Sequence, residues 1–555
     1  MILRRLYIYL VSIAALAVLA FGLANLGSTV LLFLLNSADA QSSRTQLAGF
    51  TATVVVAFPV WAIHMWFGRR FARRDPAERA SAIRRLYLYL ACAGSAIGTA
   101  IALAVAVTNL LQQQLDGFNF DRIVVAQAAW VALVLLVIWA FHYRIASRDR
   151  AAVGEQGASA TLRRWYMYLA LVFGLFMLLV GAQGLLQAAW VKALTNAQFP
   201  NQPMSSSAGL LVGGLLLWGF HAQVLATRHL DDDRKSTLRA VEGFIAVGVC
   251  IVVALIGASQ MLYYGVARAL GVENPGGLGN DILAGLAQPA SNVLVYGLAW
   301  FLIRRRLALD AASGEGARQA GMRRLYTNLV ALVSMGALAV GAAILLGALA
   351  EAAEAPIIGV PAPDWKDPVS LGVTLLIVGA AVWLAHWRRV PWLEDRQALA
   401  RRLYLWAVLL ASVLAVLGGA IGVLYVVFQQ AFSAHPGLND PANLSFGQSL
   451  AVVVVAAAVG VYHWRVMRSD ASKNPTKSAI SRGPLEGPAK AERSASPLIT
   501  VPADPAEHRP TAEVAPGTHY ELSVVGATED DVHQALTNLP PQASYKLVPS
   551  HSADN

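Results

Sequence analysis

Cysteine is nearly absent from this 555-residue chain, which has only Cys92 and Cys250. Both lie in apolar runs far apart in sequence, so no disulfide framework and no CxxC metal site can be drawn from them, and such thiols usually serve packing. Charge is scarce as well: Asp, Glu, Lys and Arg make up 14% of the residues, against 56% hydrophobic and a mean hydropathy of +0.52. So much apolar surface exceeds what a soluble core can hide, which excludes a soluble globular enzyme. Ionisable residues at mid-membrane depth, which coupled transporters keep at high energetic cost, are missing from the apolar runs. Glu242 is the one acid clearly inside a run, near its end, and is expected to snorkel toward water. Paired Gly/Pro interruptions of the inverted-repeat transporter kind are missing too; Pro59 alone stands well inside a run. "NPGGLGND" from Asn274 lacks the Lys-Ser/Thr that would make it a phosphate loop.

Twelve apolar stretches long enough to span a bilayer are present, at roughly 6-34, 49-67, 86-112, 124-143, 165-190, 207-226, 240-267, 286-303, 325-350, 368-387, 403-428 and 446-464. They pair into six two-helix repeats: 1-80, 81-159, 160-235, 236-319, 320-397 and 398-469, of which the fourth is degenerate. The expected fold is therefore an all-α polytopic membrane protein. Small residues recur midway along the first helices, at Gly22, Gly181, Gly341 and Gly419, where they let helix backbones approach closely.

Each first helix opens on a recurring motif. It reads "RRLYIYL" with Arg4, Arg5 and Tyr7, and "RRLYLYL" with Arg84, Arg85 and Tyr87. It returns as "RRWYMYL" with Arg163, Arg164 and Tyr166, "RRLYTNL" with Arg323, Arg324 and Tyr326, and "RRLYLWA" with Arg401, Arg402 and Tyr404. The second helices end on "WAIHMWFGRR" from Trp61, "WAFHYR" from Trp139, "WGFHAQ" from Trp218, "WLAHWRR" from Trp383 and "VYHWR" from Val461, which supply His64, His142, His221, His386 and His463. The fourth repeat reads "LRAVEGF" from Leu238 and "WFLIRRR" from Trp300, losing Tyr and His together. That joint loss marks Tyr and His as partners. Asn25, Asn109, Gln183, Gln187 and Gln260, in the outer third of the first helices, are expected to make interhelical hydrogen bonds.

Connections between repeats, with the membrane-proximal ends of the chain, carry 31 Lys and Arg; loops inside repeats carry five, with ten Asp and Glu. The positive-inside rule puts both termini in the cytoplasm, with Arg-Arg as an anchor at that face and the neighbouring Tyr and Trp as an interfacial belt. The expected location is a bacterial cytoplasmic membrane. A net charge of +10 spread along that edge points to anionic lipid headgroups as partner, not nucleic acid. The N-terminal run and "ADA" at Ala38 to Ala40 imitate a secretory signal, but the run is the first helix of a repeat, and retention is expected. Residues 470-516 read as a disordered cytoplasmic linker. Residues 517-555 suggest a small β-α-β segment, too small to stand alone, which would pair with its own copy or a protein partner.

Five histidines at one depth are what a haem or metal site would draw on. The simpler reading pairs each with a motif tyrosine, across its own hairpin or a neighbouring one, near the negative end of the helix dipole. No cofactor, metal or catalytic residue is expected. The chain resembles a bacterial membrane family known only as a domain of unknown function, whose unit opens on Arg-Arg-Leu-Tyr-x-Tyr-Leu; the likeness covers about residues 1-468. The resemblance implies the repeat and no activity. The leading functional reading is a non-enzymatic membrane scaffold or sensor-like protein, followed by a passive transporter or channel for a small solute, then by a haem or metal protein.

Overall fold

In a bilayer every backbone N–H and C=O needs an internal partner, so apolar runs of this length must be helical. A computed structural model of the chain bears this out. It describes residues 2–35, 40–195, 203–229, 233–234, 236–277, 281–312, 317–359, 361, 363–387, 398–432 and 445–472. The linker and the β-α-β segment expected beyond residue 472 lie outside the described residues. The described residues contain no strand.

Among the described residues, twelve helices are long and apolar enough to cross a membrane. They are α1 (Ile2–Leu34), α2 (Ala40–Arg74), α3 (Ala82–Asp116), α4 (Arg122–Val153), α5 (Ala158–Leu194) and α6 (Met204–Arg228). The second half of the array is α7 (Thr237–Ala269), α8 (Ile282–Ala312), α9 (Ala317–Ile358), α10 (Lys366–Trp387), α11 (Leu399–Phe432) and α12 (Ser445–Ser472). Consecutive pairs form antiparallel hairpins, one per repeat. Each first helix also packs on the first helix of the next repeat and on that repeat's second helix, as α1 does on α3 and α4, and α3 on α5 and α6. First helices thus form a continuous row. Consecutive second helices are spread more widely and meet through aromatic side chains near their C-terminal ends, Trp61 on Phe141 and Trp139 on Phe220. Repeats one and six share no packed helix interface among the described residues, so the row is open.

The glycines act as close-contact points within hairpins. A Cβ on Gly181 would stand 2.3 Å from the Leu211 backbone N, and one on Gly341 2.6 Å from that of Leu376. On Gly22 it would meet Thr53 at 3.0 Å, and on Gly419 the Ser449 carbonyl at 2.8 Å. All four positions therefore abut the second helix of their own repeat, where small residues let packing replace the missing hydrophobic drive between helices in lipid.

The acids counted in the loops inside repeats have a local use. Asp121 caps α4 through the N–H groups of Ile123 and Val124, Asp281 caps α8, and Asp364 caps α10. Asp116, at the end of α3, accepts from Met204 N and Ser205 N of α6, and Glu354 of α9 accepts from Gly447 N of α12. Carboxylates at helix N-termini satisfy orphan donors and meet the positive end of the dipole. The charge asymmetry between the two faces is thus partly a capping pattern.

Candidate functional site

The recurring motifs converge at the face where one repeat connects to the next. Three of the five Tyr–His pairs are buried hydrogen bonds inside their own hairpins. The Tyr87 hydroxyl lies 2.8 Å from His142 Nε2, that of Tyr166 2.7 Å from His221 Nε2, and that of Tyr404 2.9 Å from His463 Nε2. At the edge of the array the Tyr7–His64 contact lengthens to 3.5 Å and is exposed. In the fifth repeat Tyr326 and His386 meet only edge to face, with ring centroids 6.2 Å apart.

The other ring nitrogen, Nδ1, faces the carbonyl one turn back in every case: Val60, Ile138, Leu217, Val382 and Val459, at 2.7–2.9 Å. A carbonyl only accepts, so Nδ1 must carry the proton, and a neutral ring then leaves Nε2 to accept from the tyrosine O–H. The tyrosine oxygen keeps a lone pair, and the previous repeat fills it. Trp61 donates to Tyr87 at 3.1 Å, Trp139 to Tyr166 at 3.0 Å, and Trp383 to Tyr404 at 3.0 Å. Each relay runs Trp N–H to Tyr O–H to His to backbone carbonyl, and every buried polar atom in it has a partner. The Tyr–His bond closes one hairpin; the Trp–Tyr bond joins it to the hairpin before. Trp and Tyr here are cross-links between helices.

The second aromatic of the motif stands two residues after the first, about 200° around the helix. It therefore looks toward the next repeat. Tyr9 packs on Tyr87 with centroids 5.7 Å apart, and Tyr89 stacks on Tyr166 at 5.8 Å. The hydroxyls of Tyr9, Tyr89 and Tyr168 donate to Glu78, Glu155 and Asp233.

Those three acids belong to a ladder that binds the motif arginines. Arg4 and Arg5 reach Glu78 at 3.3 and 2.9 Å. Arg84 donates to Asp149 at 2.7 Å and to the Tyr9 hydroxyl at 3.0 Å, which ties repeat two to repeat one. Arg85 donates to the carbonyls of Arg79 and Ala146 and lies 3.6 Å from Glu155. Arg163 and Arg164 share Asp233, at 3.1 and 2.7 Å, and Arg401 reaches Asp470 at 2.8 Å. Arg84, Arg85, Arg163 and Arg401 are all buried. Breaking such a pair from one side strands a buried charge, at a cost of about 3–5 kcal/mol. Arg402 and Arg323 are exposed and Arg324 is half-buried. Outward-facing positive charge at this face comes instead from residues such as Arg70, Arg73, Arg74, Arg144 and Arg148.

The fourth repeat replaces the missing pair. Arg239 forms a two-pronged ion pair with Asp310, at 2.7 and 3.1 Å, and its Nε reaches that acid as the Nε of Arg84 reaches Asp149, so Arg239 and not Leu238 opens this motif. The register then puts Glu242 at the tyrosine position and Phe244 at the second aromatic position, and Phe244 does pack on Tyr326 of the next repeat, with centroids 5.9 Å apart. Glu242 is buried and accepts from Arg306 at 2.5 Å. It does not snorkel: an ion pair stands where the other repeats have Tyr–His. The relay is interrupted beside it, because the buried Trp300 N–H has no hydrogen-bond partner.

Four of the five amides expected to bridge helices, Asn25, Asn109, Gln183 and Gln187, bond within their own helix. Asn25 donates to the Phe21 carbonyl, Asn109 to that of Val105, and Gln183 to Gln187. A side chain four residues after a carbonyl reaches it without leaving its helix. The bridging role falls to Gln127 and Trp130 of α4, which donate to the carbonyls of Ser28 and Leu23 on α1. Among the described residues no group of three or more His, Cys, Asp or Glu is placed to hold a metal ion.

Tandem hairpins, one open row of first helices and a repeated polar relay define a multi-pass, all-helical repeat protein of membranes. The chain belongs to the family of the domain of unknown function DUF5671, which matches residues 5–135, 184–298 and 324–458. The first and third matches each begin at an Arg-Arg motif and run into the second helix of the following repeat, so the family unit there spans two hairpins. The ladder has the same two-repeat rhythm: in repeats two and six the acid lies seven residues after the histidine, Asp149 after His142 and Asp470 after His463, whereas in one and three it lies further on, at Glu78 and Asp233. No curated protein and no solved structure matches the chain.

Proposed function

We propose that this protein is a non-enzymatic scaffold or sensor-like protein of a bacterial cytoplasmic membrane, with both termini in the cytoplasm and the C-terminal tail as its partner-facing part. The carrying observation is that the polar side chains of the repeat are spent on one another. Each histidine of the three buried relays has both ring nitrogens engaged, and the buried arginines are engaged by acids. A haem or metal would have to displace a tyrosine O–H to gain Nε2. The excess of Lys and Arg at the connection face supports the cytoplasmic placement of that face and its attraction to anionic lipid. Residues 517-555 are the part proposed to self-associate or take a protein partner.

The test is an absorption spectrum with metal analysis on protein purified from its native membrane, together with solute flux in proteoliposomes. The proposal expects a colourless, metal-free protein that adds no flux. A Soret band abolished by changing His142, His221 and His463 would overturn it toward electron transfer, and saturable flux toward transport. Deleting 517-555 is expected to reduce oligomer size or partner capture, and unchanged behaviour would remove the tail from the account.

A further inference from the structure

Inside the chain an even-numbered repeat meets the odd-numbered repeat after it in a recurring way. The second aromatic of the even repeat covers the motif tyrosine of the odd one: Tyr89 stacks on Tyr166 with centroids 5.8 Å apart, and Phe244 lies 5.9 Å from Tyr326. Repeat six is the last even repeat, and repeat one the first odd one. Trp406 holds the second aromatic position of repeat six and is 60% exposed; Tyr7, the motif tyrosine of repeat one, is 61% exposed. No previous repeat seals Tyr7, and here the Tyr–His contact lengthens to 3.5 Å.

The same relation continues down the helices. Ala96, Ala100 and Ala104 of α3 are buried against repeat three. A Cβ on Gly213 or Gly209 of α6 would stand 2.5 or 2.3 Å from the carbonyl oxygens of Ala100 and Ala104. Counted from the first motif arginine, Arg84 or Arg401, the same three positions of α11 are Val413, Leu417 and Ile421, which are 57%, 53% and 62% exposed. Counted from the histidine, His221 or His64, the positions of Gly213 and Gly209 fall on Val56 and Ala52 of α2, both exposed. The internal register would set Leu417 against Val56 and Ile421 against Ala52, a larger side chain on a smaller one each time. Lipid tails are as apolar as these residues, so exposed area alone drives nothing; what joins helices in a bilayer is the fit of side chains and backbone. Repeat six departs from the pattern once. Gly460 stands where Trp61, Trp139 and Trp383 precede their histidines, so the indole N–H passed to the next tyrosine is lost from that position, and an indole enters at Trp406 instead.

We propose that the free face of repeat six binds the free face of repeat one on a second copy of this chain, head to tail, by the contact that an even repeat makes with the odd repeat after it. Copies inserted in one membrane share an orientation, so Trp406 and Tyr7 lie at the same depth. Such a contact is heterologous: each copy keeps one face free, and assembly continues until a ring closes. It lies within the helical array, apart from the tail, and stands whether or not the scaffold reading holds. In the test, full-length protein in its native membrane carries p-benzoylphenylalanine in place of Trp406, which keeps an aromatic ring there, and is irradiated. The expected product is a two-chain adduct whose cross-linked peptide contains Tyr7. The same probe in place of Trp165, an exposed residue of α5 away from both free faces, is expected to give at least fivefold less. Ala52→Trp fills the α2 face at a position the fold leaves open, and is expected to cut the Trp406 adduct at least fivefold, whereas deleting residues 517-555 is expected to leave it unchanged. A two-chain yield no greater than at Trp165, an adduct to α11 of the second copy, indifference to Ala52→Trp, or loss of the adduct with the tail would each overturn the proposal.

Discussion

Removing the Tyr87–His142 bond gives the sharpest test of the relay. His142→Leu keeps the volume and removes the acceptor, which strands the Tyr87 O–H in a buried site. Tyr87→Phe strands two groups, His142 Nε2 and the Trp61 N–H, which lie 2.8 and 3.1 Å from the lost oxygen. An unsatisfied buried polar group costs about 1–3 kcal/mol, so the tyrosine change should be the more damaging of the two. The double variant strands only the Trp61 N–H. It is therefore less harmful than the sum of the single changes, with a coupling of about 1 kcal/mol, inside the roughly 0.6–2 kcal/mol measured for hydrogen bonds between membrane helices. The assay is unfolding in mixed detergent micelles with SDS as denaturant, followed by far-ultraviolet circular dichroism. Tyr7 and His64, 3.5 Å apart and exposed, provide the internal control, with an expected coupling near zero. Equal couplings at the two sites would refute the claim that burial and geometry make the inner relays clasps.

The remaining predictions follow the same logic. Glu242→Leu strands Arg306, but that side chain is 31% exposed and reaches water, so the loss should be about 1–3 kcal/mol and not the full cost of a buried charge; E242Y/I303H should be more stable than E242Y alone, and equal stability would reject the register assigned to repeat four. Gly181→Val forces a side chain against the Leu211 backbone, while Gly94 and Gly248 have open space around their Cβ positions. The first should lower the SDS midpoint by about 1–3 kcal/mol of stability, and alanine at the other two should be nearly neutral. Topology is readable with single cysteines, because Cys92 and Cys250 are buried: a membrane-impermeant maleimide should label Gln156→Cys only in inverted vesicles and Asn119→Cys only in intact cells. The reverse pattern would invert the proposed orientation.

Helix number and hairpin pairing were legible because apolar runs near bilayer thickness are a local signal, and because the repeat restates them six times. The Tyr–His pairing was legible from a defect, since both residues vanish together from repeat four. Its one-residue register error had a physical source: Leu238 lies where an arginine was expected, and only the Arg239–Asp310 pair shows which residue opens the helix. Contacts between repeats were not legible. Trp61 meets Tyr87, and Arg84 meets Tyr9, through the order in which hairpins stack, which no single-repeat pattern encodes. The acids of the ladder escaped notice because their spacing changes between repeats. A motif arginine reads the same in sequence whether it faces headgroups or a buried carboxylate.

The histidine protonation pattern tests the central claim most directly. Nitrogen-15 solid-state NMR of histidine-labelled protein in liposomes distinguishes Nδ1–H from Nε2–H rings and both from imidazolium or a metal-bound nitrogen. The account predicts neutral, Nδ1-protonated rings for His142, His221 and His463, with Nε2 shifted by a donated hydrogen bond that disappears for His142 in Tyr87→Phe. Nε2-protonated rings, or a metal-bound Nε2 in protein from the native membrane, would contradict it.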